Sequence, residues 1–435
     1  MHILIIHQAF ASLNEPGGTR HHEFARLLAA RGYKVTVIAS PVSYITGVSS
    51  PLPVGEGVGV REDVTILRAS VYEAHHKSFF HRIIAFFSFM LSSFWIGLGV
   101  KNVDVVWGTS PPIFQGVTAW VLARVKGAKF LFEVRDLWPQ FAIAVGVLRN
   151  PVLIALSEWL ERFLYTHADQ VMVNSPGFIE HVEGITLSGW SSSRRWSSGR
   201  SPYRDQTAYR DQKSKGAKRV ELIPNSADPS MFDPNDDGAA FRESNGLKDK
   251  FVVLYAGAHG MSNDLTVVLE SASLLDETNI QIVLLGDGKE KPALMAQAKE
   301  MNLTNVTFLP SVRKTEMATA LAGADACIAI LKPLDEYKTT YPNKVFDYMA
   351  AGRPVVLAID GVIRAVVDAA GCGLFAQPGN AVELARVMRE LAKDKVRARE
   401  MGLKGRKYLE ENFSRTALVE KLEGILEEII RSRGT

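Results

Sequence analysis

The sequence is poor in cysteine: Cys327 and Cys372 are the only two in 435 residues, and they stand in apolar or Gly-rich settings without a C-x-x-C partner. That excludes a disulfide framework and a cysteine-built zinc site, and it fits a reducing compartment. The start, MHILIIHQAF, lacks a basic leader and has too short an apolar run for a signal peptide, so it reads as a first strand of a cytoplasmic protein. Charged residues are 22% and hydrophobic residues 47%, a balance that excludes wholesale disorder and a polytopic membrane protein. Several chemical signatures are missing as well. No G-x-G-x-x-G follows the first strand, and no G-x-x-x-x-G-K-[ST], H-E-x-x-H or D-x-D occurs. Dinucleotide redox chemistry and P-loop phosphoryl transfer therefore lose their usual support, and so does a metal held by a D-x-D triplet. The pairs His21-His22 and His75-His76 diverge on a helix and make poor metal sites.

What is present is alternation. Short β-branched runs at 3–7, 34–39, 64–67, 104–107, 129–134 and 170–174 are separated by amphipathic stretches, and a second series follows at 251–256, 280–285, 306–308, 325–330, 354–358 and 373–375. This is the pattern of parallel strands covered by helices, and the length suits two or three domains. Between the series, IPNSADPSMFDPNDDG at 223–238 is rich in Pro, Asn and Asp and reads as the domain boundary. The expected division is an N-terminal Rossmann-like domain over 1–222, a linker over 223–245, a C-terminal Rossmann-like domain over 246–410, and a bracing helix over 411–435. Residues 379–432 read as almost wholly helical. Such a pair of doubly wound α/β domains would face each other across a cleft at their carboxyl edges, where ligands bind.

Charge is uneven. Residues 1–220 hold 24 Lys/Arg against 16 Asp/Glu, whereas 221–435 hold 26 against 31. Most of the excess sits in a Ser- and Gly-rich insertion near 186–218, whose stretch 189–219 carries nine basic and two acidic residues. It reads as a surface loop or as a polybasic patch for anionic lipid or a charged acceptor; no nucleic-acid signature accompanies it. Segment 83–100 has no charge in 18 residues. As a helix it falls just short of a ~30 Å hydrocarbon core, so a buried helix and one touching the bilayer interface both fit better than a membrane span.

Three places combine glycine with a helix start. Gly257 and Gly260 follow the strand at 251–256, and Gly286 and Gly288 flank Asp287 after the strand at 280–285. Such turns bring backbone N–H groups close to a phosphate, although a plain strand-to-helix turn looks the same. In DEYKTTYPNKVFDYMAAGRPVVLA (335–358), Pro342 and Asn343 open a helix that carries Lys344 in its first turn and Asp347 one turn on. The helix start and Lys344 suit a phosphate and Asp347 suits the ribose hydroxyls, although an ordinary surface Lys–Asp pair has the same spacing.

With these residues in place, the chain resembles glycosyltransferase family 4, whose members have the two-domain GT-B fold. The likeness runs through the Gly17-Gly18 loop, EVRDLWP (133–139), IPNSADPSMF, the Gly257–Gly260 turn, Gly286–Gly288 and NKVFDYMAAGRPVV, and covers all but 186–218. Within the family the chain looks most like bacterial enzymes that add N-acetylfucosamine or related sugars during surface polysaccharide assembly. The resemblance implies a UDP-sugar donor on the C-terminal domain, a lipid-linked or saccharide acceptor on the N-terminal domain, retention of anomeric configuration, and no essential metal or other cofactor. Two positions depart from it. Thr339 stands where the family often has a glutamate, and His259 and Asn263 stand where it often has Arg and Lys.

The expected donor site is therefore Gly17, Gly18, Gly257, Gly260, Gly286, Thr339, Asn343, Lys344 and Asp347, with Val312 and Arg313 bordering the base. Lys344 would stabilise the departing diphosphate, and Arg135 and Asp136 would face the reacting sugar, Asp136 either as a base or as a strand-end cap. The enzyme would work at the inner membrane face in peripheral contact with anionic lipid. Two other readings remain: a UDP-sugar 2-epimerase of the same architecture, and a non-catalytic sugar-nucleotide or membrane-binding scaffold.

Overall fold

The structure, a computed structural model, describes residues 1–11, 18–41, 64–72, 79–187, 220–275 and 279–432. Gly17, the His75-His76 pair and nearly all of the basic insertion lie outside them. The first half runs β1 (His2–Ile6), α1 (Arg20–Ala30), β2 (Lys34–Ala39), β3 (Val64–Arg68), α2 (Phe79–Gly99), β4 (Val105–Ser110), α3 (Phe114–Lys126), β5 (Lys129–Val134), α4 (Gln140–Ala144), α5 (Pro151–His167), β6 (Gln170–Val173), α6 (Ile179–Leu187) and β7 (Val220–Leu222). The second half runs α7 (Ala239–Ser244), β8 (Phe251–Ala256), α8 (Leu265–Ser273), β9 (Ile280–Leu285), α9 (Lys291–Glu300), β10 (Val306–Leu309), α10 (Lys314–Ala322), β11 (Ala326–Ile330), α11 (Asn343–Ala350), β12 (Val355–Ala358), α12 (Val362–Ala370), β13 (Gly373–Phe375), α13 (Ala381–Lys393), α14 (Lys395–Asn412) and α15 (Arg415–Arg431).

Both sheets are parallel and share one winding. The first has the order β3-β2-β1-β4-β5-β6-β7 and the second β10-β9-β8-β11-β12-β13. In each, the chain reverses direction beside its first strand, between β1 and β4 or between β8 and β11. That reversal opens a crevice at the carboxyl edge. The central strands are mostly hydrophobic because helices cover both of their faces, and β1 is buried at every residue.

The first sheet's two faces carry different helices. Phe89 of α2, Leu122 of α3 and Leu164 of α5 share one core with Leu4 and Val106. On the other face, Phe24 and Leu28 of α1 meet Ile3, Trp107 and six residues of α15, from Leu418 to Ile429. The last helix of the chain thus closes the core of the first domain. Each such side chain, fully buried, contributes about 1.5–3 kcal/mol as an upper estimate.

Some details depart from the sequence reading. Strand β7 is one more strand than expected, short and without a long apolar run of its own. Residues 379–432 are almost wholly helical, as read, and divide at two breaks into α13, α14 and α15. Asp394 turns its carboxylate back to cap the Arg397 N–H at 2.9 Å, and Phe413 leaves the helical path to lie 5.0 Å from the Phe346 ring in the core of the second domain. Among the described residues no helix is long and apolar enough to cross a membrane. The uncharged segment at 83–100 lies within α2, with Ala85 and Phe89 buried and Leu91 and Trp95 in solvent.

Candidate functional site

The carboxyl edges of the two sheets enclose a cavity of about 270 Å³ lined from both domains. Gly18, Thr19, Arg20 and Glu23 come from the start of α1; Gly257, Gly286, Asp287 and Val312 from the second sheet's loops; Lys314 from the start of α10; Asn343, Lys344 and Asp347 from α11; and Arg415 from α15. The domains come close here: a Cβ on Gly18 would lie 3.8 Å from Asn343 Nδ2.

The floor of the cavity is backbone. Gly257 and Gly286 both have φ near +149°, a conformation that L residues rarely adopt. They also touch. A Cβ on Gly286 would lie 1.9 Å from the Gly257 carbonyl oxygen, so the two loops approach as closely as glycine permits. Helix α11 opens from Pro342, which supplies no side-chain cap, so no side chain covers the helix's first amides.

Lys344 sits over this floor. Its Nζ donates to the Tyr255 hydroxyl at 2.8 Å and to Asn263 Oδ1 at 3.2 Å, and lies 4.0 Å from the Tyr255 ring centre. It does not pair with Asp347. With no carboxylate beside it, burial pushes its pKa down to about 7, so a diphosphate placed there would supply the counter-charge that the protein withholds. Asn263, where the family resemblance leads us to expect a lysine, thus serves as an acceptor for a lysine delivered from another element. His259 is fully buried beneath the same loops, its two ring nitrogens unpartnered, and burial followed by Lys291 pushes its pKa down to about 4. A neutral imidazole therefore replaces the expected cation.

Asp347 pairs with Lys314, Nζ to Oδ1 at 2.6 Å. Burial raises its pKa, and Lys314 opposes that rise. Across the cavity Glu23 accepts from Thr19 Oγ1 at 2.6 Å and pairs with Arg415 at 3.0 Å, and Arg415 also donates to the Ser226 carbonyl at 2.6 Å. One arc of alternating charge thus runs from the C-terminal domain to the start of α1.

A second network lies under the first sheet's edge. Glu133, wholly buried, accepts from Arg20 Nε at 2.9 Å, from Trp107 Nε1 at 3.2 Å and bonds His21 Nε2 at 2.6 Å. Burial, the largest single influence, pushes its pKa up, yet His21 and Arg20 together hold it well below the usual carboxylate range. Arg20 also donates to the carbonyls of Ile223 and Pro224, at 2.6 and 2.7 Å, which ties α1 to the start of the linker. Arg135 reaches His7 Nε2 at 3.0 Å, and Asp136 beside it is pushed up to about 6 by burial, with Arg135 opposing.

Of the residues expected from sequence, Gly18, Gly257, Gly286, Val312, Asn343, Lys344 and Asp347 line the cavity. Three do not. Gly260 precedes a 3-10 turn away from the lining. Arg313 is exposed and donates to Glu316 one turn on, capping α10, so its neighbour Lys314 is the residue that turns inward. Thr339 is buried in the seam between the domains, where its carbonyl accepts from Ser175 Oγ at 2.5 Å and a Cβ on Gly177 would strike it. Arg135 and Asp136 lie at the N-terminal sheet's edge outside the lining. Sequence reasoning missed Arg20, Glu23, Lys314 and Arg415. Glu23 is one helical turn from Thr19, a readable spacing; the others lacked any local signal.

Among the described residues no group of three or more His, Cys, Asp or Glu side chains is placed to hold a metal ion. Residues 17–187 match the family model described as a glycosyl transferase 4-like domain, and residues 250–394 match glycosyl transferases group 1. The chain therefore carries both domains of a glycosyl transferase, in a GT-B fold. It is 23% identical over 352 residues to the putative colanic acid biosynthesis glycosyl transferase WcaI of Escherichia coli, covering 78% of each chain. Among solved structures it resembles sucrose-phosphate synthase from Thermosynechococcus elongatus, with a TM-score of 0.74, 16% identity and 99% of each chain covered. It also resembles Anabaena Alr3699/HepE in complex with UDP-glucose, with a TM-score of 0.67, 13% identity, and 98% of this chain and 100% of that one covered.

Proposed function

We propose that the protein is a retaining glycosyltransferase of cell-surface polysaccharide assembly, moving a sugar from a UDP-sugar to a lipid-linked or growing saccharide acceptor. The observation that carries this reading is the cradle itself: two touching glycine loops, an uncapped helix start and a lysine with no counter-charge, all facing the other domain. Breaking the donor's glycosidic bond leaves negative charge on the diphosphate. Preorganised N–H groups and an ammonium stabilise that charge better than reorganising water does. Asp347 takes the ribose hydroxyls, with Lys314 keeping it ionised, and Val312 borders the base. Arg135 and Asp136, at the N-terminal sheet's edge outside the cavity lining, stand on the acceptor side, Asp136 either as a base or as a strand-end cap.

UDP-glucose bound to a structural relative, and the polysaccharide named in the WcaI description, support the donor class and the setting. An N-acetylated deoxy sugar such as N-acetylfucosamine is the donor we favour, and the cytoplasmic face of the inner membrane the place of work. No metal is given a step, so excess chelator should leave turnover unchanged. No observation of the site favours the 2-epimerase or the scaffold reading. Labelled donor incubated with membrane extract tests the proposal: transfer into a lipid or saccharide fraction supports it. Isomerised donor without acceptor, or donor left intact, would refute it.

A further inference from the structure

The first domain leaves in water a set of apolar side chains that its core does not use. On α2, Ala85, Phe89 and Ser93 turn inward at four-residue intervals, while Phe87, Leu91 and Trp95 recur at the same interval on the outer side. Leu91 is 63% exposed and Trp95 70%. Helix α5 repeats the pattern. Its buried side is Ser157, Glu161, Leu164 and Tyr165, and its first turns expose Val152 (65%), Leu156 (56%) and Trp159 (54%).

The two rows belong to one face. Both helices pack on α3 from the same side of the sheet, α2 through Phe87 against Phe114 at 5.5 Å and α5 through Phe163 against Trp120 at 4.8 Å. From Phe114 the aromatic contacts continue to Trp138, at 5.8 Å, and α4 next to it places Phe141 5.5 Å from Tyr337 of the other domain. Packed aromatic rings thus connect this side of the first domain to the interdomain cleft. A lone exposed leucine means nothing, but a contiguous set of this kind marks an interaction site. Charge identifies the occupant. Within α2, α3, α5 and the residues flanking them, Lys101, Arg124 and Arg149 are exposed against the exposed acids Glu158 and Asp169, and Asp169 is paired with Lys129 at 3.3 Å.

We propose that this face docks on a bilayer surface containing anionic lipid, with α2 and α5 lying in the interfacial plane. Tryptophan prefers that depth, the leucine and valine side chains enter the upper acyl region, and the cations meet lipid phosphate. Neither helix need span. The orientation presents the cleft rim to the membrane, where a lipid-linked acceptor would be found; that last clause rests on the proposed function, whereas the docking itself does not.

Flotation with phosphatidylcholine vesicles, with and without phosphatidylglycerol, tests it. The intact chain should float with the phosphatidylglycerol vesicles, and the double variant Leu91→Gln/Leu156→Gln should lose roughly tenfold or more of that binding, since two apolar side chains no longer enter the bilayer. Both positions are exposed, so the variant should bind UDP in calorimetry as the parent does. Equal flotation of parent and variant, or no flotation of the parent, overturns the proposal. So does light scattering that finds a dimer which the same substitutions dissociate, because the face would then belong to a second copy. Absent UDP binding in a parent that floats would instead remove the proposed function and leave the docking intact.

Discussion

Lys344 concentrates the account's chemistry in one side chain. Replacing it with alanine removes the ammonium that stands beside Gly257 in the cavity, and turnover should fall by about a hundredfold to a thousandfold, the usual consequence of losing one such donor, while the fold persists. Its titration gives a second check. An unfolded lysine keeps its proton to about pH 10.4, whereas this one releases it near 7, so burying it costs stability below 7 and that cost fades as pH rises. A bound diphosphate favours the charged form. UDP binding at pH 8 should therefore take up a proton, visible as a dependence of calorimetric heat on buffer ionisation enthalpy, and Lys344→Met should abolish that uptake. In kcat/KM, activity should rise through about pH 6 as Asp136 becomes a competent base and fall above about 7 as Lys344 loses its charge. Asp136→Asn should remove the acid limb alone; an unchanged limb would exclude Asp136 as base. Asp347→Ala should weaken UDP but spare inorganic pyrophosphate, a split that a purely structural defect would not produce.

At the scale of elements, the touching loops after β8 and β9 form the rigid part of the site. Gly286→Ala would drive a methyl group into the Gly257 carbonyl, which is backbone and cannot swing aside, so it should cost about 1–3 kcal/mol in denaturant unfolding. In Gly257→Ala the nearest atom is Lys344 Nζ at 3.2 Å, a flexible tip. Its φ near +149° still disfavours any side chain, so that variant should lose stability as well as donor affinity. The sequence exposed much of this architecture because parallel strands buried on both faces announce themselves as β-branched runs, and because glycine and proline punctuate the turns after β8, β9 and before α11. What it hid has physical causes. Strand β7 has three residues and borrows its register from β6, and the breaks at Asp394 and Phe413 are made by one side-chain cap and one tertiary contact inside a helical pattern. Lys314 and Arg313 are adjacent and chemically alike; Glu316 holds Arg313 outside while Asp347 holds Lys314 in the cavity, and neither partner is signalled by the local sequence. Arg20 and Arg415 lie far apart in sequence and meet the site only because α1 and α15 cover the same face of one sheet.

At the scale of the molecule, polar ties hold the linker and α15 to the first domain, while Ser175 and Asn225 donate to the Thr339 and Tyr341 carbonyls of the second. Arg20 holds the linker carbonyls and Glu133 at once, and Arg415 holds Glu23 and Ser226. Glu133→Ala leaves Arg20 buried without its counter-charge and should cost about 3–5 kcal/mol in unfolding. It should also loosen the linker, which small-angle scattering would register as a broader range of domain separations. The central claim is that the cleft's glycine loops and the start of α11 receive a diphosphate. A crystal grown with UDP tests it most directly. The account predicts phosphate oxygens within hydrogen-bond distance of the amides at Gly257 and Asn343 and of Lys344 Nζ, with the ribose on Asp347. A nucleotide bound elsewhere, with Lys344 still held by Tyr255 and Asn263 alone, would contradict it.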